Sequence, residues 1–259
     1  MKKLQTVIEL IEQFASPDLA KFDYVGLLVG DLQQPIKKIG LTLDCCTQAI
    51  EKAIGSGCDL LITHHGPTEI RYPQYGNGLT QFSLAKANNL SIYRAHLNLD
   101  FCVGGIIDTL SSLLRVPTTK TKLIYEGNPI YGGVNLAENY PMTFIDLKKR
   151  IRKLGIKQIR VAGRQKQKFS RISITSGAGF FGEFMDQLKP EVYIAGEFEQ
   201  EATKYAEDLG IMLVELGHHA SEARVLEKLA PNFSKMLKLP VQFIEIPDTI
   251  QVIKIKEDL

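Results

Sequence analysis

The chain has 259 residues, 44% of them hydrophobic and 23% charged, with a net charge of +2; that balance fits a globular protein and excludes an intrinsically disordered one. No run approaches the ~18 to 20 apolar residues of a membrane helix, and MKKLQTVIELIEQFA lacks the unbroken apolar core and small-residue cleavage site of a signal peptide. Four cysteines, with Cys45 and Cys46 adjacent and no CxxC pair, do not make a disulfide framework, so the sequence reads as a reduced, cytoplasmic protein without a membrane partner.

Charged and apolar residues share helical spacing in the N-terminal segment. KKIGLTLDC (37–45) then predicts a strand and TQAIEKAIGSG a helix, stopped by Gly55 and Gly57. CDLLITHH predicts a second strand, 78–88 a helix, SIYRAHL a third strand and 105–114 another helix. These strands are apolar nearly throughout, which suits a sheet buried on both faces, and β-α-β order predicts parallel pairing with right-handed crossovers. Residues 117–133, rich in Thr, Gly and Pro and without helical period, read as a crossover into a second unit. That unit opens with the helix TFIDLKKRIRKLG, capped by Thr143 and stopped by Gly155. Strands QIRVAG and RISITS, a helix over 181–188, strand EVYIAG, helix FEQEATKYAEDLG and strand IMLVELG follow. A last helix, SEARVLEKLAPNFSKML, is expected to be interrupted at Pro231, and two short strands, VQFIEIP and IQVIKI, end the chain. The expected division is a metal-binding α/β lobe of residues 1–124 with 215–259, and a second α/β lobe of residues 125–214.

All five histidines close predicted strands: His64 and His65 in CDLLITHHGP, His96 in SIYRAHLNLD, His218 and His219 in IMLVELGHHASE. Parallel strands gather ligands at their carboxyl ends, so three clusters distant in sequence are expected at one sheet edge. Neutral imidazole is the commonest metal ligand, and Asp100 and Glu222 bring carboxylates beside the two later clusters. A histidine pair at a strand end is, alone, more often a hydrogen-bonded turn; three matched clusters favour a metal site. Neighbouring strand residues point to opposite faces, so His64 and His65 are expected to diverge toward two ions. His218 and Glu222 converge from a strand end and the first turn of a helix. The predicted metal ligands are His64, His65, Asp100, His218 and Glu222. If Glu222 bridges, each of two divalent cations has about three protein ligands and open positions for water, the pattern of a catalytic site. His96 and His219 are then the candidate catalytic groups, beside the ligands or the substrate. Imidazole and carboxylate suit Zn, Fe, Mn or Co.

The strings FDYVGLLVG (22–30), CDLLITHHGP, HLNLDFCVGG (96–105), ITSGAG (174–179), VYIAGEFEQ and GHHASE together resemble the NIF-three-like family, the GTP cyclohydrolase I type 2 homologues. The resemblance implies the same five ligands. It also implies a two-lobed, three-layer α/β/α fold with mostly parallel sheets, a dinuclear metal site between the lobes, and a ring-shaped homohexamer. The implied chemistry is hydrolytic opening of the guanine ring of GTP, with His96 or His219 moving protons and basic residues holding the triphosphate. The chain departs from the family where the usual Trp-Asp-Asn reads Phe22, Asp23 and Tyr24, and it is too short for the inserted domain of longer members.

Some signals admit two readings. GAGFFG (177–182), with Glu197 about 20 residues on, matches a dinucleotide fingerprint, but a tight turn or close backbone packing is the better reading, and no organic cofactor site is predicted. Cys45 and Cys46 are small buried hydrophobes or soft-metal ligands; Asp44 is a helix cap or a site carboxylate. Eleven Lys or Arg and no acid lie between Lys148 and Arg171, leaving 20 basic against 29 acidic residues elsewhere. That stretch is a solvated face or a polyanion contact. In the second case Lys148, Lys149, Arg150, Arg152 and Lys153 would bind nucleic acid weakly, and the rival function is a non-enzymatic ring that binds nucleic acid or a regulatory partner.

Overall fold

Two mixed sheets, each covered by helices on both faces, organise the computed structural model, which describes residues 1–67, 78–125, 127–179 and 182–251. The first sheet contains β1 (Gly26–Val29), β2 (Ile39–Asp44), β3 (Leu60–His65), β4 (Ser91–Arg94) and β11 (Val241–Phe243), in the order β11-β2-β3-β4-β1. Its pairings are parallel except at the β1 edge. The second contains β5 (Thr119–Tyr125), β6 (Asn128–Ala137), β7 (Arg160–Gly163), β8 (Ile172–Ile174), β9 (Val192–Ala195) and β10 (Met212–Glu215), in the order β7-β10-β9-β8-β6-β5. Here β8, β9 and β10 are parallel, and β5, β6 and β7 run antiparallel to their neighbours.

The faces follow from strand alternation. Leu60 and Ile62 enter one central core, whereas Leu61 faces outward against α2 (Thr47–Gly55) and α3 (Gly78–Ala87). The central core also takes Ile172, Ile174, Val192, Ile194 and Val214 from the second sheet, so the two sheets share it. Helices α1 (Leu4–Phe14), α5 (Ile106–Leu113) and α9 (His218–Leu237) fill it with apolar residues such as Leu4, Ile11, Leu110, Leu226 and Phe233. The outer face of the second sheet is closed by α7 (Gly182–Leu188) and α8 (Gln200–Asp208), through Phe184, Met185, Ala202 and Ala206.

Several expectations are met and others corrected. Thr143 caps α6 (Phe144–Lys153) by accepting from the Asp146 amide, and Gly155 follows that helix at φ +83°. The stretch 117–133 is not a crossover. It forms most of the β5–β6 hairpin, because Thr and Lys alternate at period two from Thr119 to Lys122, a strand signal hidden by the Gly, Thr and Pro content. That hairpin pairs antiparallel with β8, which makes the second sheet mixed rather than mostly parallel. Pro231 does not interrupt α9, which runs continuously over 20 residues. The lost hydrogen bond is outweighed by the buried stripe of Leu226, Leu229, Phe233 and Leu237 around it. Four of the six residues of the strand expected at IQVIKI, 252–255, lie outside the described residues.

Phe233 is 1% exposed and stacks edge-on against Phe14, with centroids 5.8 Å apart. Phe233→Ala is therefore expected to destabilise the protein by about 3–5 kcal/mol, read as a lower midpoint in urea unfolding. A midpoint unchanged by the truncation would show that α9 is not the spine of this core.

Candidate metal centre

Strand ends from both sheets deliver side chains to one place. His64 and His65 close β3. Past the end of β4, Asp100 is carried on the short helix α4 (Leu97–Phe101). From the second sheet, β10 ends at Glu215, and Gly217, at φ +92°, turns the chain directly into α9. That conformation is open to glycine and strained for other residues. It starts α9 at His218, so His218 and Glu222 lie one helical turn apart on one face.

The imidazoles are oriented from outside. A carbonyl or carboxylate can only accept, so the ring nitrogen facing it donates. His64 Nδ1 donates to the Ala95 carbonyl at 2.9 Å, His65 Nδ1 to Asp44 Oδ1 at 2.8 Å, and His218 Nδ1 to Glu197 Oε1 at 2.9 Å. Each Nε2 is then left to face inward. There, His65 Nε2 and His218 Nε2 stand 3.2 Å and 3.3 Å from Glu222 Oε2, and 3.4 Å from each other. His64 Nε2 stands 3.7 Å from Glu222 Oε1 and 3.5 Å from Asp100 Oδ2. Two atoms each bound at 2.0–2.2 Å to one tetrahedral ion are about 3.4 Å apart. The observed separations match that figure, and those of His64 are too long for a hydrogen bond. His64 Nε2 is buried without a hydrogen-bond partner, a position that an ion satisfies. His65, His218 and Glu222 form one group that could hold a metal, His64, Asp100 and Glu222 a second, and His64, His65 and His96 a third.

Without an ion, protons take part of this role. Burial alone would lower His65, yet its contacts with Asp44 and Glu222 raise it to about 10. His218 is likewise raised to about 9 against burial, by Glu222 and Glu197. Burial pushes Glu222 up, but the surrounding histidines outweigh it and hold this carboxylate well below its usual range. Burial raises Asp100 to about 6, even though Ser176 Oγ donates to its Oδ1 at 2.8 Å.

A family model described as Duf34/NIF3 (NGG1p interacting factor 3) matches residues 2–249. The chain belongs to this family. It is 32% identical over 255 residues to a protein of Clostridium perfringens named GTP cyclohydrolase 1 type 2 homolog, covering 93% of this chain and 95% of that one. A protein of the same name from Methanocaldococcus jannaschii is 31% identical, over 92% of this chain and 98% of its own length. Among solved structures, reduced HcgD from Methanocaldococcus jannaschii superposes with a TM-score of 0.79 at 29% identity, covering 95% of this chain and 98% of that one. A Bacillus cereus protein related to NIF3 shares the fold, with a TM-score of 0.78 at 17% identity over 97% and 99% of the two chains.

Within this Duf34/NIF3 fold, His96 stands beside the cluster, its ring centroid 4.9 Å from that of His64. Its Nδ1 donates to Asp23 Oδ2 at 2.7 Å, and burial lowers it to about 4. His219 instead bonds through Nε2 to the Ile246 carbonyl at 2.9 Å and joins none of the three groups. Two cavities meet at the cluster, one of about 460 Å³ and one of about 620 Å³, with His65, Arg94, His96 and His218 on both walls. Asp44 orients His65, while the adjoining helix takes Cys46 as its cap residue with no side-chain cap bond. Cys45 is buried and Cys46 half-buried. The GAG turn packs against Glu222: a Cβ on Gly177, at φ +54°, would fall 2.2 Å from Glu222 Oε1. Sequence reasoning missed the orienting roles of Asp23 and Glu197. Asp23 was visible inside FDYVGLLVG, but nothing local linked it to a histidine 73 residues away.

The raised histidines set a pH dependence. A folded-state value above the free value of 6.5 gives stability that is complete below about pH 6.5 and is lost as pH rises toward 9 to 10. The melting temperature of chelator-treated protein is therefore expected to fall between about pH 7 and pH 9.5, less steeply in His65→Gln. Saturating divalent cation should flatten the fall, because it replaces those protons. A metal-free melting temperature that climbs over this interval would contradict the electrostatics.

Proposed function

We propose that the chain is a metal-dependent hydrolase that holds two divalent cations, one among His65, His218 and Glu222 and the other among His64, Asp100 and Glu222. The ligand spacing carries this reading, since atoms 3.2–3.7 Å apart suit a shared ion better than a shared proton. Glu222 offers one oxygen to each group, and three protein ligands apiece leave positions for water and substrate. Cations held there supply Lewis acidity and acidify water. The chain's own groups fix the geometry: Asp44, Glu197 and the Ala95 carbonyl hold the three rings still. His96, neutral and fixed by Asp23, keeps Nε2 free to accept or return a proton on the cavity wall. His219 lines the larger cavity, and proton transfer to a departing group is its candidate role.

The substrate follows the relatives' name: one water adds at the imidazole carbon of the guanine ring of GTP and breaks its first C–N bond, and a second water breaks the other, so that the carbon leaves as formate and both nitrogens take up protons. A ring-shaped homohexamer belongs to the same proposal. Elemental analysis of protein purified without chelator is expected to find about two divalent ions per chain, with His65→Ala and Glu222→Ala each losing at least one. A folded protein free of metal would sink the reading, and formate release from GTP tests the substrate separately.

The exposed basic helix favours a second reading. Lys148, Lys149, Arg152 and Lys153 are exposed on α6, whereas Arg150 is tied to the Leu114 and Arg115 carbonyls. Weak, sequence-independent binding of DNA or RNA that falls steeply with salt is expected there. Replacing Lys148, Lys149, Arg150 and Lys153 by Gln should remove much of it without changing the metal content. Mobility shifts that ignore both the salt and the substitutions would leave this face as solvation alone.

A further inference from the structure

The charge around the two cavities bears on what kind of ligand the site accepts. Among the described residues, Arg94 is the one Lys or Arg on either wall. Its side chain is 10% exposed and already engaged, with one guanidinium nitrogen donating to Asp23 Oδ1 at 3.0 Å and to the Tyr24 carbonyl. The same walls carry the carboxylates of Asp23, Asp44, Asp100, Glu197, Glu222 and Asp248. Two divalent cations and Arg94 together would leave no surplus positive charge. No residue between Lys148 and Arg171 is among those described on either wall.

Apart from bound metal ions, which here are committed to the reacting ring, proteins hold polyphosphates with Arg or Lys side chains, or with free backbone amides in glycine turns and helix N-termini. The glycine turn beside the cluster does not offer that cradle. The Gly177 amide donates to Ser221 Oγ at 3.2 Å and the Gly179 amide to the Glu197 carbonyl at 2.6 Å. In the smaller cavity the remaining wall is aromatic, aliphatic and hydroxylic, with Tyr24, Phe101, Ile107, Thr175 and Ser176. Such a wall suits a ring with hydrogen-bonding edges.

We propose that this site recognises an uncharged or cationic small molecule of nucleoside size, and that its described residues give a triphosphate tail no free side-chain cation. The inference rests on the hydrolase reading above and narrows its substrate: of GTP, the ring and ribose would be read and the phosphates left in solvent.

Titration calorimetry on the full, metal-loaded chain with guanosine, GTP and inorganic tripolyphosphate tests it. GTP is expected to bind no more than about threefold tighter than guanosine, and tripolyphosphate neither to saturate nor to displace guanosine. A GTP advantage of about tenfold or more, shrinking with added salt, overturns the proposal, as does saturable tripolyphosphate binding. Asp248→Lys places a cation on the larger cavity's wall and should raise the preference for GTP over guanosine about tenfold. If it does not, charge balance is not what governs the tail, and the proposal fails. Should neither nucleoside nor nucleotide bind while elemental analysis finds the metals, the guanine-ring substrate is wrong, and the tripolyphosphate titration still decides the question of charge.

Discussion

One carboxylate, Glu222, is kept ionised at 2% exposure in the middle of this molecule. An isolated carboxylate in such a place costs several kcal/mol, so the site needs positive charge, as protons or as metal, within a few ångströms. The local structure serves that need. Gly217 lets α9 begin immediately after β10, and Gly177 and Gly196 let backbone pass where a Cβ would strike Glu222, Ser221 or His218. The order of the sheets follows too, because β3 must bring two histidines from the first sheet to a helix that leaves the second.

The acceptors outside the cluster matter as much as the atoms inside it. Had Asp44 or Glu197 been absent, the ring of His65 or His218 could rotate or change tautomer, and its Nε2 would no longer be committed to the interior. These acceptors come from separate elements: the end of β2, the turn after β9 and the residue that follows β4. The cluster is therefore a junction between sheets rather than a feature of one loop.

How much of this was legible depends on the range of the physics involved. Convergence at the carboxyl ends of strands is topological, so the meeting of His64, His65, Asp100, His218 and Glu222 could be anticipated from strand assignments, but the single sheet edge expected for them is corrected to the meeting point of two sheets. The adjacent pair His64 and His65 leave β3 in different directions, yet each ends within 4 Å of a different Glu222 oxygen, as alternation and one bend allow. The pairings of Asp23 with His96 and of Glu197 with His218 were not legible, because they span 73 and 21 residues and carry no periodicity. The β5–β6 hairpin is hidden because its Gly, Thr and Pro content masks the alternation from Thr119 to Lys122. Pro231 reads as a break because local propensity carries no trace of the burial that surrounds it.

The same helix that carries His218 and Glu222 also fills the central core with Leu226, Leu229, Phe233 and Leu237. Ligand placement and fold stability are thus one mechanical problem. An ion bound only by the folded state stabilises it by RT ln(1 + [M]/Kd), which reaches about 4 kcal/mol at a thousandfold excess over Kd. Most of that stabilisation would enter through the first turn of α9, the segment whose buried charge relies on protonated His65 and His218 when no metal is bound. A chain of this design can tolerate a carboxylate in its core because protons on His65 and His218 offset the charge, and a bound cation would do the same. Weakening the core around Phe233 would then also loosen the site, since both ends of α9 are registered by the same packing.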